Sequence, residues 1–224
     1  MDNIVHCIDG IMAFDKEKLK NENERILINN VNENLAAVLI SSFLNTTKQN
    51  MLVVTANLFQ AQKTYDKLVQ VLGEEHVYFF PMDEFISAEM LASSSEFRKE
   101  RINTAVAVTT GKRCVIVTHT IGLVRKLIPK DVFINSIKII RKNEEYDFSG
   151  LVRHFFHTGY NRVDVVENQG EFALRGGIID IYPFTADSPY RIEFFDNSVE
   201  SIRVFSEKTQ KTIRALDEIM ITPN

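Results

Sequence analysis

The first part of the chain, up to about residue 135, alternates short apolar runs with segments whose apolar residues recur at helical spacing. Short apolar runs bounded by turn residues indicate buried strands, and a period near 3.6 residues indicates amphipathic helices. The predicted strands are 25–29, 51–55, 76–80 and 113–118, and the predicted helices are 35–44, 56–72, 93–109 and 121–127. Strands buried on both faces with crossover helices between them predict an α/β layer domain with a parallel sheet.

Local signals mark the ends of three of these helices. Gly73 follows the helix at 56–72 as a stop, and Ser93 with Glu96 has the spacing of a capping box. Pro129 is predicted to stop the helix at 121–127.

From residue 136 onward, strand-like runs follow one another closely. The predicted strands are 136–140, 163–167, 171–175, 177–182, 190–195 and 199–205, and a helix with Asp147 as its N-cap is predicted to end at Gly159. Such closely spaced strands pair as antiparallel hairpins, because a parallel crossover needs about a dozen residues or more. This part is predicted to be a small α+β domain with an antiparallel sheet and one helix.

These patterns predict three parts of the chain. Residues 1–135 form the α/β domain, residues 136–212 form the small β-rich domain, and residues 213–224 begin a return into the α/β layer. The last apolar run stops abruptly before Asn224, which suggests that the natural chain continues.

Composition excludes several classes of protein. A chain of 224 residues with 45% hydrophobic and 25% charged residues is typical of a globular protein. The formal net charge of −4 argues against a general nucleic-acid-binding surface, which needs excess basic residues. Cys7 and Cys114 have no metal-binding or CxxC spacing, so reduced thiols are expected. Without a signal peptide or membrane span, the chain is predicted to be cytoplasmic.

The segment that follows the first predicted strand is where a nucleotide-binding α/β domain has its phosphate loop. That loop needs glycines, a lysine and a terminal hydroxyl. The sequence at 29–37 reads NNVNENLAA, with none of these, and Glu33 would repel phosphate. Asn30, Glu33, Ala36 and Ala37 therefore define a degenerate phosphate loop, whose residues were lost or were never present.

No other catalytic constellation is found. The five histidines are scattered, and the pair His154 and His157, at i and i+3, lacks a nearby carboxylate or cysteine. Asp83-Glu84 is interpreted as a turn and N-cap pair, and no GxSxG motif is present. We expect no catalytic residues, no metal and no cofactor in this chain.

Arginine and aromatic residues concentrate on the predicted strands of the second part. Arg162, Arg175 and Arg191 lie on neighbouring strands. Alternation puts Arg191, Glu193 and Phe195 on one face and Ile192 with Phe194 on the other, unless a bulge carries Phe194 out. Arginine and exposed aromatics are typical of protein interfaces. The alternative is a solvated face with cross-strand ion pairs.

A long patterned segment, 159–214, adds a family resemblance. Its matching residues are Gly159-Tyr160, Arg162, Gly170-Glu171-Phe172, RGGIIDIYP at 175–183, RIEFFD at 191–196, ESIR at 200–203 and Thr209-Gln210. This segment resembles the amino-terminal module of the bacterial transcription-repair coupling factors, which is itself similar to part of the excinuclease B subunit. Looser, collinear similarity extends the resemblance to residues 25–224.

The resemblance implies a fold and a function. The α/β part would be a helicase-like layer without phosphate-loop residues, and the inserted β-rich domain would dock the excinuclease A subunit. In the whole family protein a separate motor hydrolyses ATP, tracks on double-stranded DNA and removes stalled RNA polymerase, so this module would recruit excinuclease A to stalled polymerase during nucleotide excision repair.

The family pattern also implies the docking residues. They are Arg162, Arg175, Arg191, Glu193 and Phe194, while Ala173 stands where excinuclease B has a second basic residue. The alternative is an ATP-dependent helicase fragment of the excinuclease B type, which would keep a working phosphate loop.

Overall fold

The computed structural model describes residues 25, 27–47, 49–82, 95–124 and 126–224. It is a mixed α/β structure with parallel and antiparallel sheets. Contacts divide the chain into two compact units, the first ending at Lys126 and the second running from Leu127 to Asn224. The predicted parts 136–212 and 213–224 both fall in the second unit, and their limits stay a prediction.

The first unit contains three helices and three strands in its described part. In chain order they are α1 Glu33–Thr47, β1 Met51–Thr55, α2 Leu58–Leu72, β2 Val77–Phe80, α3 Ser95–Thr109 and β3 Val115–His119, with 3₁₀ turns at Glu74–His76 and Thr120–Leu123. The strands form a parallel sheet in the order β1-β3-β2. The predicted parallel sheet is therefore confirmed.

Helix α2 shows why these limits arise from the sequence. The Asn57 side chain accepts a hydrogen bond from the Gln60 amide at 2.9 Å, which satisfies a free donor of the first turn. The helix ends at Gly73, whose φ of 89° is costly for a residue with a side chain. The apolar stripe of α2, including Ala61 and Leu68, packs against α1, β2 and β3.

Two predictions in this region were wrong. Residues 25 and 27–29 are not in a strand, although 25–29 was predicted as one. The predicted helix at 121–127 is only the 3₁₀ turn Thr120–Leu123. Pro129 starts a helix instead of stopping one, since it is the N-cap of α4 (Lys130–Ser136) and proline has no amide hydrogen that an interior position would need. Ser93 and Asp83-Glu84 lie outside the described residues.

The second unit is built on a six-stranded sheet. Its remaining elements are β4 Lys138–Arg141, α5 Phe148–His157, β5 Asn161–Arg162, β6 Glu171–Arg175, β7 Ile178–Tyr182, β8 Tyr190–Phe195, β9 Ser198–Phe205, β10 Thr212–Leu216 and β11 Glu218–Ile221. The sheet order is β10-β9-β8-β7-β6-β5, antiparallel except for the parallel pair β5–β6. A separate antiparallel pair joins β4 to β11.

The strands β6 to β9 agree with the predicted ones, but the predicted strand at 163–167 was wrong. The ladder to β6 ends where the Val163 amide donates to the Phe172 carbonyl at 2.9 Å. The chain then leaves the sheet, and Val166 packs over Ala173 and Phe205. The Glu171 carboxylate accepts from the amides of residues 167 and 168, which holds this segment in place.

The end of the chain contributes two strands. Strand β10 is the edge of the six-stranded sheet beside β9, and β11 pairs with β4. The return of residues 213–224 to the α/β layer stays a prediction, since the hydrogen bonds of these strands are made to β9 and β4.

Helix α5 covers one face of the six-stranded sheet and encloses the main core of this unit. The buried residues are Ile140, Leu151, Phe155, Tyr160, Phe172, Ile179, Ile181, Ile192, Phe194, Val199, Ile202, Ile219 and Ile221. Asp147 is the N-cap of α5, as predicted, and the helix gives way to Gly159 with a φ of 93°. We call the side covered by α5 the inner face, and the opposite side the outer face.

Candidate partner-binding face

The outer face of the six-stranded sheet is closed at one end and open at the other. At the closed end Ala173 and Phe205 are buried with Val166. Strand alternation and register bring six side chains to the other end, which we call the open end: Arg175, Ile178, Glu193, Phe195, Ser201 and Arg203. All six are exposed or half-buried.

Strand alternation along β8 decides which of two neighbouring phenylalanines is exposed. The register of β8 with β9 shifts between Glu193 and Phe194. Phe194 stays in the core, 9% exposed, with its ring 5.2 Å from that of Phe148 in an edge-on contact. Phe195 lies on the outer face and is 73% exposed. The predicted alternation is therefore confirmed, and the bulge does not carry Phe194 out.

Arg191 lies on the outer face but is held inside the chain. Its Nε and Nη2 donate to Oδ1 and Oδ2 of Asp180 at 2.7 and 2.8 Å. The guanidinium also lies 4.5 Å from the Phe205 ring centre. The paired Asp180 carboxylate raises the pKa of Arg191. Because Asp180 is 1% exposed, this pair is a buried ion pair of the kind that is costly to break.

Glu193 is also paired within the chain, at the open end. Ser201 Oγ donates to Glu193 Oε2 at 2.7 Å, and Arg203 Nη2 donates to the same oxygen. Arg203 Nε donates to Ser201 Oγ at 3.2 Å, which closes a small network. Cross-strand ion pairs, the alternative interpretation of this arginine-rich face, are therefore present on it.

Arg175 is the most accessible of the predicted arginines on this face. It ends β6 just before the turn at Gly176 and Gly177, and its Nη2 donates to the Asp164 carbonyl at 3.1 Å. Its side chain is exposed.

The structure does not bring all five predicted docking residues together. Arg175, Arg191 and Glu193 share the outer face. Arg162 pairs in parallel register with Phe172, whose side chain points to the inner face, so Arg162 lies at the β5 edge on the inner side. Phe194 is in the core, and Ala173 is buried at the closed end.

Sequence reasoning missed Ser201 and Arg203. Arg203 lies two residues and Ser201 four residues before Phe205 on β9. Strand alternation would therefore have placed all three side chains on the same face. The bulge at Glu200 does not disturb this run, because it shifts the register only between Val199 and Ser201.

The predicted phosphate-loop segment in the first unit is occupied by groups of the chain itself. Asn32 Oδ1 accepts from the Leu35 amide at 2.9 Å and caps α1. Glu33, the first residue of α1, accepts from Lys63 Nζ at 2.9 Å and from Lys67 Nζ at 2.8 Å. These two hydrogen bonds lower the pKa of Glu33 to about 2. Asn30 has a φ of 59°, Ala36 is half-buried and Ala37 is buried.

Two of the described histidines, His154 and His119, lie within hydrogen-bond distance of backbone carbonyls. His154 Nε2 lies 3.0 Å from the Ser136 carbonyl, and burial lowers the pKa of His154. His119 is fully buried with Nε2 3.0 Å from the Met82 carbonyl. Among the described residues, no three His, Cys, Asp or Glu side chains cluster as metal ligands, and no helix there is long and apolar enough to cross a membrane.

Comparison with known proteins defines the class of the second unit. A family model described as the UvrB interaction domain matches residues 139–224, which include α5, the six-stranded sheet and β11. The description of this family as an interaction domain agrees with an outer face that has an open, arginine-rich end.

Individual relatives extend the similarity to nearly the whole chain. The transcription-repair-coupling factor of Bacillus subtilis (strain 168) is 34% identical over 228 residues, covering 96% of this chain and 19% of the relative. That of Staphylococcus aureus (strain Mu50) is 33% identical over 196 residues, 88% of this chain and 17% of the relative. That of Staphylococcus epidermidis is 32% identical over 199 residues. The chain spans about a fifth of the length of these curated relatives. The resemblance to transcription-repair coupling factors is confirmed.

Proposed function

We propose that this chain is a docking module that recruits the excinuclease A subunit to sites of stalled RNA polymerase in nucleotide excision repair. The proposal is supported by the similarity to transcription-repair-coupling factors and by the UvrB interaction domain match at 139–224. The observation that carries it is the open end of the outer face, where Arg175 and Phe195 project from a rigid sheet.

The docking residues divide into two groups by their surroundings. Arg175, Glu193 and the 73%-exposed Phe195 contact the partner directly. An exposed aromatic beside an arginine is the composition of an interface hot spot. Arg191 and Phe194 act by supporting the face, since Arg191 is bound to Asp180 on it and Phe194 packs on Phe148 in the core. Arg162 contacts a partner that reaches around the β5 edge of the sheet.

Isothermal titration of the chain with the excinuclease A subunit tests this proposal. Arg175→Glu reverses an exposed charge and Phe195→Ala removes an exposed ring, and each is expected to weaken binding about tenfold or more, since a hot-spot side chain contributes about 2 kcal/mol or more. Arg153→Glu on α5 is the control, because Arg153 is also exposed but pairs with Asp147 away from the outer face. Binding by the two variants that equals that of the unaltered chain would contradict the docking face.

We infer a second role for the first unit, as a helicase-like layer whose phosphate loop is degenerate. The support is that the start of α1 holds Glu33 between Lys63 and Lys67. The Glu33 carboxylate pairs with the positive groups that a phosphate would need, and its own negative charge repels phosphate. The chain would then have no catalytic activity and no cofactor of its own.

The enzyme alternative, a helicase fragment of the excinuclease B type, makes a different prediction. A nucleotide at 100 times its dissociation constant would stabilise the chain by about 2.7 kcal/mol. We expect ATP with magnesium to leave the unfolding temperature unchanged. A rise that saturates with ATP would support the helicase fragment.

In the complete coupling factor, we propose that this module works beside a motor that hydrolyses ATP, moves on double-stranded DNA and releases stalled RNA polymerase. The module would act in the cytoplasm. Its own contribution is the protein contact made by the second unit.

A further inference from the structure

The outer face carries two arginines that lie directly opposite each other on neighbouring strands. Arg191 of β8 and Arg203 of β9 are register partners. Like charges in this position repel each other, so each needs its own carboxylate. Asp180 pairs with Arg191, and Glu193 pairs with Arg203. The four groups form a short ladder of ion pairs across β7, β8 and β9.

The two ion pairs differ in their accessibility. The side chains of Arg191 and Asp180 are 18% and 2% exposed, and Gln210 Oε1 lies 3.5 Å from Arg191 Nη2. The side chains of Arg203 and Glu193 are 34% and 26% exposed. The second pair is therefore the more accessible of the two to a partner.

The network around Glu193 leaves one of its oxygens open. Both internal donors, Ser201 Oγ and Arg203 Nη2, bind Oε2. Within the described part of the chain, Oε1 receives no hydrogen bond. A carboxylate held by one oxygen in this way has a fixed direction, and its second oxygen is a ready acceptor.

We propose that Arg203, together with Ser201, is a positioning residue that fixes Glu193 so that Oε1 accepts a hydrogen bond from a donor on the docking partner. The inference rests on the proposed docking function and deepens it. Glutamate has several rotatable bonds, and fixing it before binding removes an ordering cost that the complex would otherwise carry. The partner chemistry that fits is an N–H donor, most strongly a cationic one, facing this end of β8.

A double-mutant cycle measured by titration with the excinuclease A subunit tests the proposal. The variants are Arg203→Met, Glu193→Met and the double variant, with thermal unfolding of each as a check on folding. Losing one charge-assisted hydrogen bond corresponds to about one power of ten in affinity. Because Arg203 acts through Glu193, we expect binding to weaken about tenfold in each single variant and by the same factor in the double variant. Arg141→Met is the matched control, since Arg141 also pairs with a glutamate, Glu218, but on the β4–β11 pair. It should bind like the unaltered chain.

The outcomes separate this inference from the proposed function. Unchanged binding by Arg203→Met, or a double variant weakened about a hundredfold as the product of two independent losses, would overturn the inference. If Arg175→Glu nevertheless weakens binding, the docking function stands without it. If the unaltered chain does not bind the excinuclease A subunit, both are overturned. A simple loss of folding would lower the unfolding temperature without producing the non-additive cycle in affinity.

Discussion

Asp180 and Arg191 form a two-pronged ion pair across β7 and β8, with N–O distances of 2.7 and 2.8 Å, and the aspartate is almost fully buried. The pair lies on the outer face beside the closed end, since Asp180 is the register partner of Ala173 and the Arg191 guanidinium lies over the Phe205 ring, whereas the exposed Arg175 ends β6 at the open end. Arginine on this sheet therefore serves two purposes, because one guanidinium holds strands together while another faces solvent.

Removing Arg191 is expected to destabilise the second unit strongly. Arg191→Met leaves Asp180 buried without its partner, at a cost of about 3 kcal/mol. The double variant Asp180→Leu with Arg191→Met should lose less, since no unpaired charge remains. Denaturant unfolding measures the free energy of unfolding of the single and the double variant. A double variant less stable than Arg191→Met would contradict this explanation.

The two neighbouring phenylalanines are expected to separate stability from binding. Phe194→Ala removes a core ring that packs on Phe148 and should cost about 3–5 kcal/mol of unfolding free energy. Phe195→Ala removes an exposed ring and should change stability by about 0.5 kcal/mol or less. Urea unfolding of the two variants makes the comparison. Similar losses in both would mean that strand alternation does not separate the two rings as described.

Glu33 is expected to make the first unit sensitive to acid. Its pKa in the folded chain is about 2, below the ordinary value of 4.5. A lowered pKa means that the folded state holds the proton more weakly, so the stabilisation is complete above about pH 4.5 and is lost as the pH falls toward 2.

The measurement is unfolding of the unaltered chain and of Glu33→Gln across that pH range. The difference in free energy of unfolding between the two chains should be largest at neutral pH and vanish near the pKa that Glu33 has in the folded state. Because the group is exposed, added salt should also reduce it. The double variant Lys63→Met with Lys67→Met should lose the same stabilisation as Glu33→Gln. A difference that stays constant with pH would contradict the assignment.

The turn between β6 and β7 is expected to tolerate a side chain at one glycine and not at the next. A Cβ on Gly177 would lie 2.8 Å from the Phe194 carbonyl oxygen, a backbone atom that β8 holds in place. Gly177→Ala should therefore destabilise the sheet, by about 1–3 kcal/mol. Gly176 has a φ of 59° and nothing within 4 Å of its Cβ position, so Gly176→Asn is the tolerated control. Thermal unfolding distinguishes them.

Much of the fold was readable from periodicity. The runs at β1, β2, β3, β6, β7, β8 and β9 alternate or are continuously apolar, and each appears as a strand near its predicted limits. Segment 163–167 looked equally strand-like, yet its ladder to β6 ends at residue 163 and Val166 covers Ala173. Propensity cannot distinguish the two outcomes, since packing against distant residues decides between them.

The features of the candidate site also divide into those that the sequence determines and those that only the tertiary structure decides. Local pattern by itself determined that residues 29–37 lack the groups of a phosphate loop, and it predicted that Arg191, Glu193 and Phe195 share a face with Phe194 on the other, which the structure confirms. Only the tertiary structure decided that Asp180 binds Arg191, that Arg203 binds Glu193, that Arg162 faces the inner side and that Glu33 meets two lysines of α2. Alternation is a property of consecutive residues, whereas these partners come together only when strands and helices pair.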